Sequence, residues 1–147
     1  MKKILFLAFA LSLLFVACKN KQKNGGYSAE ELKPTASAFP VMKIDSPFVD
    51  LGTITEGDTV FHTYKFTNTG NMPLVLTNVS ASCGCTTPSY STDPVPPGEE
   101  GFISVKFNSK NKIGKLNKTV TAYANTKPSD ITLGFKIEVL ENKKKPF

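Results

Sequence analysis

Two cysteines separated by a single glycine, Cys83-Gly84-Cys85, are the residues of this sequence best suited to chemistry. In an extended chain their α-carbons would lie about 7 Å apart, at the limit for a disulfide, and a bend at Gly84 would close the gap. The pair is therefore a candidate disulfide. Two thiolates at this spacing also suit a soft metal such as Cu(I) or Zn(II).

Three roles for Cys83 and Cys85 follow from this spacing. The residues favour a structural role, with the cysteines bridged or buried at the end of the fold, and so small a ring would add little stability and be easily reduced. A metal site would need His62 and Met72 as further ligands, yet His62 occupies a core-facing strand position. Thiol–disulfide exchange usually relies on Cys-x-x-Cys before a helix, which is not found here. We predict no bound metal and no cofactor.

Catalytic groups are otherwise sparse. The sequence has one histidine, His62, flanked by aromatic residues on a predicted strand, where it is poorly placed to act as a general base. The acidic residues Asp45, Asp50, Glu56 and Asp58 lie near predicted turns, as solvated turn residues commonly do. No glycine-rich phosphate-binding motif occurs. We therefore predict no catalytic residues and no enzymatic activity.

The N-terminal residues are predicted to be a targeting signal. Two lysines precede an apolar run over residues 4–16, which is short for a membrane span but suits a secretory signal. The run ends in Ala17-Cys18 and resembles a bacterial lipoprotein signal. That resemblance implies cleavage after residue 17 and lipidation of Cys18, the alternative being an ordinary signal peptide with a chance cysteine. Lys19, in place of an aspartate, favours the outer membrane.

The net charge of +6 is concentrated at the ends of the chain. Residues 18–38 are rich in Lys, Asn, Gly and Ser, which predicts a flexible tether, and residues 142–147 form a basic tail. Between residues 39 and 141 lysines and acidic residues nearly balance, and the chain has no arginine. A nucleic-acid partner is therefore not expected, and the basic ends are suited to solvent or to anionic lipid.

Alternating apolar residues predict an all-β domain over residues 39–141. Residues 60–66, 102–107 and 131–140 alternate between an apolar and a polar face, with turn residues between them. Residues 39–44 are predicted to form a first strand at a sheet edge. Residues 74–79, apolar on both faces, are predicted to be a central strand covered on both sides. About seven such strands indicate an immunoglobulin-like antiparallel β-sandwich, with a small closed barrel as the alternative.

Several segments together point to a known family. They are FVDLGTI from residue 48, YKFTNTG from 64, PLVL from 73, SCGCT from 82, PPG from 96 and VKFN from 105. The sequence resembles the domain of unknown function 1573 family, secreted bacterial proteins with an immunoglobulin-like fold, over about residues 41–140. It is similar, more remotely, to immunoglobulin-like modules of ciliary and centrosomal proteins. The resemblance implies fold and export, and no activity.

These features together predict a lipid-anchored, non-enzymatic module of the cell envelope, held at the outer membrane and facing the periplasm. We expect it to bind another envelope protein or a peptide. The expected contact surfaces are the sheet edges formed by residues 39–44 and 86–97 and the loop that contains Cys83 and Cys85. The alternative function is metal or thiol-redox handling by the same loop. The sequence leaves the oligomeric state open.

Overall fold

The computed structural model describes residues 26–143, which form eight strands and no helix. Within this range no helix is long and apolar enough to cross a membrane. Cys18 and residues 144–147 of the basic tail lie outside the described residues. The strands are β1 (Met42–Lys43), β2 (Phe48–Thr55), β3 (Thr59–Asn68), β4 (Leu76–Ala81), β5 (Thr86–Tyr90), β6 (Glu100–Asn108), β7 (Gly114–Ala124) and β8 (Asp130–Leu140).

The strands form two four-stranded sheets, with the orders β1-β3-β6-β5 and β2-β8-β7-β4. The predicted all-β, immunoglobulin-like sandwich is confirmed, with eight strands in place of about seven. Neighbouring strands are antiparallel except for β2 and β8, which run parallel. This parallel pair joins the first long strand of the domain to its last strand.

The core lies between the sheets and follows the alternation seen in the sequence. The predicted inward residues of β6 are buried, as are all those of β8 except the half-buried Ile131. Rings from the two sheets meet where Phe107 packs edge-to-face on Phe135, with centroids 5.6 Å apart. Burial of large apolar side chains such as these is the main stabilising contribution to a fold of this kind.

The prediction of a central strand over residues 74–79 is wrong. The corresponding strand, β4, lies at the edge of its sheet, and Thr77 and Asn78 are exposed. A register shift between Leu76 and Asn78 interrupts the alternation, so Leu76 and Val79 both point into the core. The apolar run therefore reflects a bulged edge strand buried on one face.

The predicted first strand over residues 39–44 is reduced to the two residues of β1, which does lie at a sheet edge. Before β1 single backbone bonds to the end of β3 continue, with Thr69 N donating to the Val41 carbonyl at 2.9 Å and Asn71 N to the Phe39 carbonyl at 3.2 Å, while Pro40 lacks an amide hydrogen on the side that faces away from β3. Beyond Ile44 the chain crosses to the other sheet, where the Pro47 carbonyl accepts a hydrogen bond from Gly134 N at 2.8 Å. As a result, within residues 26–143 most of β3 has no neighbouring strand on its outer side.

A buried carboxamide links the turns at one end of the sandwich. Asn68 is fully buried, and its Nδ2 donates to the carbonyls of Met72 and Val95 at 2.8 and 2.9 Å. Its Oδ1 accepts from the amides of Gly70 and Val41 at 3.1 and 3.3 Å. One side chain thus satisfies backbone groups from three separate segments, as buried polar groups require.

Candidate functional site

The cysteine loop, residues 82–85, connects β4 in one sheet to β5 in the other. Cys83 and Cys85 are joined by a disulfide, with their α-carbons 5.3 Å apart. That separation is shorter than an extended chain would give and falls within the range that disulfides require, so the backbone bends at Gly84. Whether the pair serves a structural or a redox role stays a prediction.

Backbone bonds hold the cysteine loop to both sheets. On one side, Ser82 N donates to the Thr119 carbonyl at 3.0 Å. On the other side, Asn108 N donates to the Cys85 carbonyl at 2.9 Å, and the Cys85 side chain packs against the core. The loop is therefore fixed at both of its ends as well as by its own disulfide.

Two further connections lie at the same end of the sandwich as the cysteine loop. The buried Ser109 joins the turn between β2 and β3 to the loop between β6 and β7. Its hydroxyl donates to the Asp58 carbonyl at 2.8 Å and also lies 3.1 Å from the Thr55 carbonyl, so the two acceptors share its one proton. Asn111 N donates to Glu56 Oε1 at 2.8 Å, and the neighbouring Ile113 is 61% exposed. We call these three connections together the cysteine-loop end.

The N-terminal segment, residues 26–41, is attached at the opposite end of the sandwich, which we call the N-terminal end. Asn71 accepts from Phe39 N at 2.9 Å and donates to the Ser37 carbonyl at 2.9 Å. Asn125 donates to the Leu32 carbonyl at 3.0 Å. Within the predicted tether, the stretch from Leu32 to the first strand is therefore bonded to the domain. An open apolar groove of about 350 Å³ lies beside it, lined in part by Phe39 and Ile131.

The structure separates the residues suggested as further metal ligands from one another. Met72 is buried at the N-terminal end, where Asn68 binds its carbonyl. His62 is half-buried on β3, with its ring edge-on to Tyr64 at 4.6 Å, and burial lowers the pKa of its imidazole. In residues 26–143 no group of three or more His, Cys, Asp or Glu side chains is arranged to hold a metal ion. Cys18, the predicted lipidation site, lies outside this range.

Tyr64 forms a link between the sheets that the sequence did not indicate. Its hydroxyl donates to the Gly134 carbonyl at 2.8 Å, and burial raises its pKa to about 12. The phenol therefore stays protonated near neutral pH and keeps donating. Its strand position predicted a core residue, but nothing in the pattern identified the acceptor across the sandwich.

The two facing sheets define an immunoglobulin-like or PapD-like all-β module. The chain belongs to the family described as "Protein of unknown function (DUF1573)", whose model matches residues 42–139, and this confirms the resemblance drawn from the sequence. No curated protein matches the sequence.

Solved structures agree on the fold. A protein of unknown function from Porphyromonas gingivalis W83 gives a TM-score of 0.62 at 19% identity, over 71% of this chain and 49% of that one. The PapD-like domain 7 of human CEP192 gives 0.58 at 10% identity, over 81% and 97%. The Vibrio cholerae protease VesB gives 0.52 at 14% identity, over 67% and 31%. At these identities the likenesses show the fold alone, and the chain spans about half the length of the Porphyromonas protein.

Proposed function

We propose that the protein is a lipid-anchored, non-enzymatic interaction module of the cell envelope, which presents its cysteine-loop end to a protein or peptide partner. One observation carries this proposal: the N-terminal segment is bonded to one end of the sandwich and the cysteine loop lies at the other. An anchor at Cys18 would therefore hold the domain with the cysteine-loop end directed away from the lipid.

The cysteine-loop end has properties of a recognition surface. Loops at the ends of sandwiches commonly carry binding residues because the sheets hold them in fixed positions. Here the disulfide and the Ser109 hydrogen bonds restrict the backbone, which lowers the entropy lost on binding. The exposed Ile113 supplies apolar area at this end, flanked by Lys110 and Lys112 and, on the β2–β3 turn, by the exposed Asp58, so a partly apolar partner surface that carries charged groups of both signs suits this end.

The remaining parts of the proposal follow from the sequence. The predicted signal over residues 1–17, followed by Cys18, supports export, lipidation and a position at the outer membrane facing the periplasm. An oxidising compartment of that kind is compatible with a bridged Cys83–Cys85 pair. The sparse catalytic groups and the near balance of charge over residues 39–141 support a role that involves neither catalysis nor nucleic acid.

Site-specific photocrosslinking of the full chain in its own membrane tests this function. A photoreactive residue placed at Ile113 is expected to capture a partner, and one at Lys127 serves as the matched control because it lies at the N-terminal end. Crosslinks at Lys127 but none at Ile113 would contradict the proposed orientation. Cys18→Ala is expected to release the protein from membranes, and retention would contradict the anchor.

Elemental analysis of the purified protein tests the alternative use of the cysteine loop. The interaction proposal expects no stoichiometric metal and a mass, without reductant, that corresponds to one intact disulfide. Copper or zinc bound at one equivalent, and lost in Cys83→Ser, would instead support metal handling by this loop.

A further inference from the structure

The outer edge of β3 presents free backbone groups. Asn68 N donates to the Glu99 carbonyl and Thr69 N to the Val41 carbonyl, so along β3 the even-numbered residues bond to β6 and the odd-numbered residues face the opposite side. β1 pairs only with Thr67 and Asn68. The amides and carbonyls of Phe61, Thr63 and Lys65 consequently face outward, and no strand of the described chain pairs with them.

The other sheet edges are less suited to pairing. In β5, Pro88 has no amide hydrogen and Thr86 N is already bonded to the Cys83 carbonyl, so that edge lacks two donors. β2 and β4 each contain a register shift, and such bulges discourage a regular ladder. β3 pairs with β6 without any shift, so its open stretch is the regular edge of the domain.

The exposed side chains along this edge are arranged in alternating rows. Phe61 is 67% exposed and lies opposite Lys106, whose Nζ is 5.7 Å from the ring centroid. Lys65 lies opposite the exposed Phe102, so here the lysine is on β3 and the phenylalanine on β6, the reverse of the Phe61–Lys106 pair. Between them, Thr63 Oγ1 donates to Ser104 Oγ at 3.1 Å. The pattern Phe–Thr–Lys along β3 is therefore complementary to its own antiparallel copy.

We propose that a second copy of this chain pairs with the β3 edge, antiparallel, about a two-fold axis at Thr63. In this register the outward-facing backbone groups of Phe61, Thr63 and Lys65 all find partners in the other copy. Thr63 pairs with Thr63 of the other copy, and Phe61 pairs with Lys65 of the other copy. Three pairs with two bonds each give about six hydrogen bonds between the copies.

Side-chain contacts favour the same register. Four side chains would lie side by side across the joined sheets: Lys106 and Phe61 of one copy, followed by Lys65 and Phe102 of the other copy. In this order each lysine lies beside an aromatic ring. The pairing ends where β1 occupies the outer side of Thr67. The shared ladder is therefore short and isologous, as a two-fold contact requires.

Disulfide trapping in the full chain, in its native membrane, tests the pairing. In a hydrogen-bonded antiparallel pair the α-carbons lie about 5.5 Å apart, within disulfide range, so Thr63→Cys is expected to give a covalent species of twice the chain mass on mild oxidation. Thr132→Cys is the matched control, an exposed threonine on an interior strand of the other sheet. Equal yields from the two variants, or a Thr63→Cys adduct with a different protein, would overturn the pairing.

A charge exchange tests the register within the Thr63→Cys background. Phe61→Lys sets a lysine opposite Lys65 of the other copy at two symmetric positions, and we expect the trapped fraction to fall roughly tenfold at limiting concentration. Adding Lys65→Glu creates opposite charges at both positions and is expected to restore trapping. Failure of the second substitution to restore it would refute this register. Both side chains are exposed, and the Lys65–Glu100 pair that the second substitution removes is a solvent-exposed contact at 3.6 Å, so we expect only a small loss of stability, and circular dichroism of each variant checks that it is folded.

Discussion

Replacing the buried Asn68 with Ala is expected to destabilise the fold by about 3 kcal/mol. The side chain is fully buried and makes four hydrogen bonds to backbone groups. Alanine removes all four bonds and provides no replacement. The change therefore tests whether this carboxamide, rather than the surrounding apolar contacts, holds the N-terminal end of the sandwich together.

The magnitude depends on whether each backbone group that loses its hydrogen bond to Asn68 finds another hydrogen-bond partner. The Val95 carbonyl keeps a bond from Leu74 N at 2.9 Å, so its loss is small. The Met72 carbonyl is left buried, at a cost of about 1–3 kcal/mol. The amides of Val41 and Gly70 are part-buried, and water can reach them at a cost of about 0.5–1 kcal/mol each. These contributions together give about 3 kcal/mol.

Urea unfolding followed by far-ultraviolet circular dichroism measures the change. Asn71→Ala is the matched control, because Asn71 also bonds two backbone groups, at 2.9 Å each, but is exposed. We expect that variant to lose less than about 1 kcal/mol. If Asn68→Ala costs no more than Asn71→Ala, the reasoning from buried, unsatisfied backbone groups is refuted.

Three further predictions concern other parts of the fold. Replacing both Cys83 and Cys85 with Ser should lower the free energy of unfolding, measured by urea titration, by only about 1–2 kcal/mol, because a three-residue ring restricts the unfolded chain little. A larger loss would show that the disulfide also stabilises the packing of the core. Because burial lowers the pKa of His62, the folded state binds its proton less readily than the unfolded chain, so the free energy of unfolding should fall as pH drops below about 6.5. His62→Gln should make this free energy less dependent on pH between about pH 7 and 5, and an unchanged pH dependence would exclude His62 as its source. Gly101→Ala would push a methyl group into the buried ring of Phe66 and should cost about 1–3 kcal/mol, measured as a lower thermal midpoint, whereas an unchanged midpoint would mean that the ring can move aside.

The fold could be predicted from sequence where burial follows a strict period of two. In β8 the alternation from Leu133 to Val139 determines which side chains enter the core, and no other element disturbs it. The prediction failed at residues 74–79, where a bulge places Leu76 and Val79 on one face. A bulge depends on the partner strand, so its position is not encoded in local composition.

The polar residues that hold the ends of the sandwich were not predictable for a related reason. Asn68 lies in an Asn-Thr-Gly stretch, whose composition is typical of a turn. Its side chain instead bonds residues up to 27 positions away. Ser109 likewise bonds residues more than 50 positions earlier in the chain. Only the three-dimensional arrangement of the loops reveals such acceptors.

The parallel pairing of β2 with β8 has a mechanical consequence. A pull between the N-terminal segment and the C-terminal end of β8 acts along both strands in opposite directions, because the two strands run side by side in the same sense. The ladder from Phe48 to Thr55 is then loaded in shear, so its hydrogen bonds must break together rather than one at a time. The domain should therefore resist stretching along this axis more strongly than peeling of the antiparallel β7–β8 hairpin.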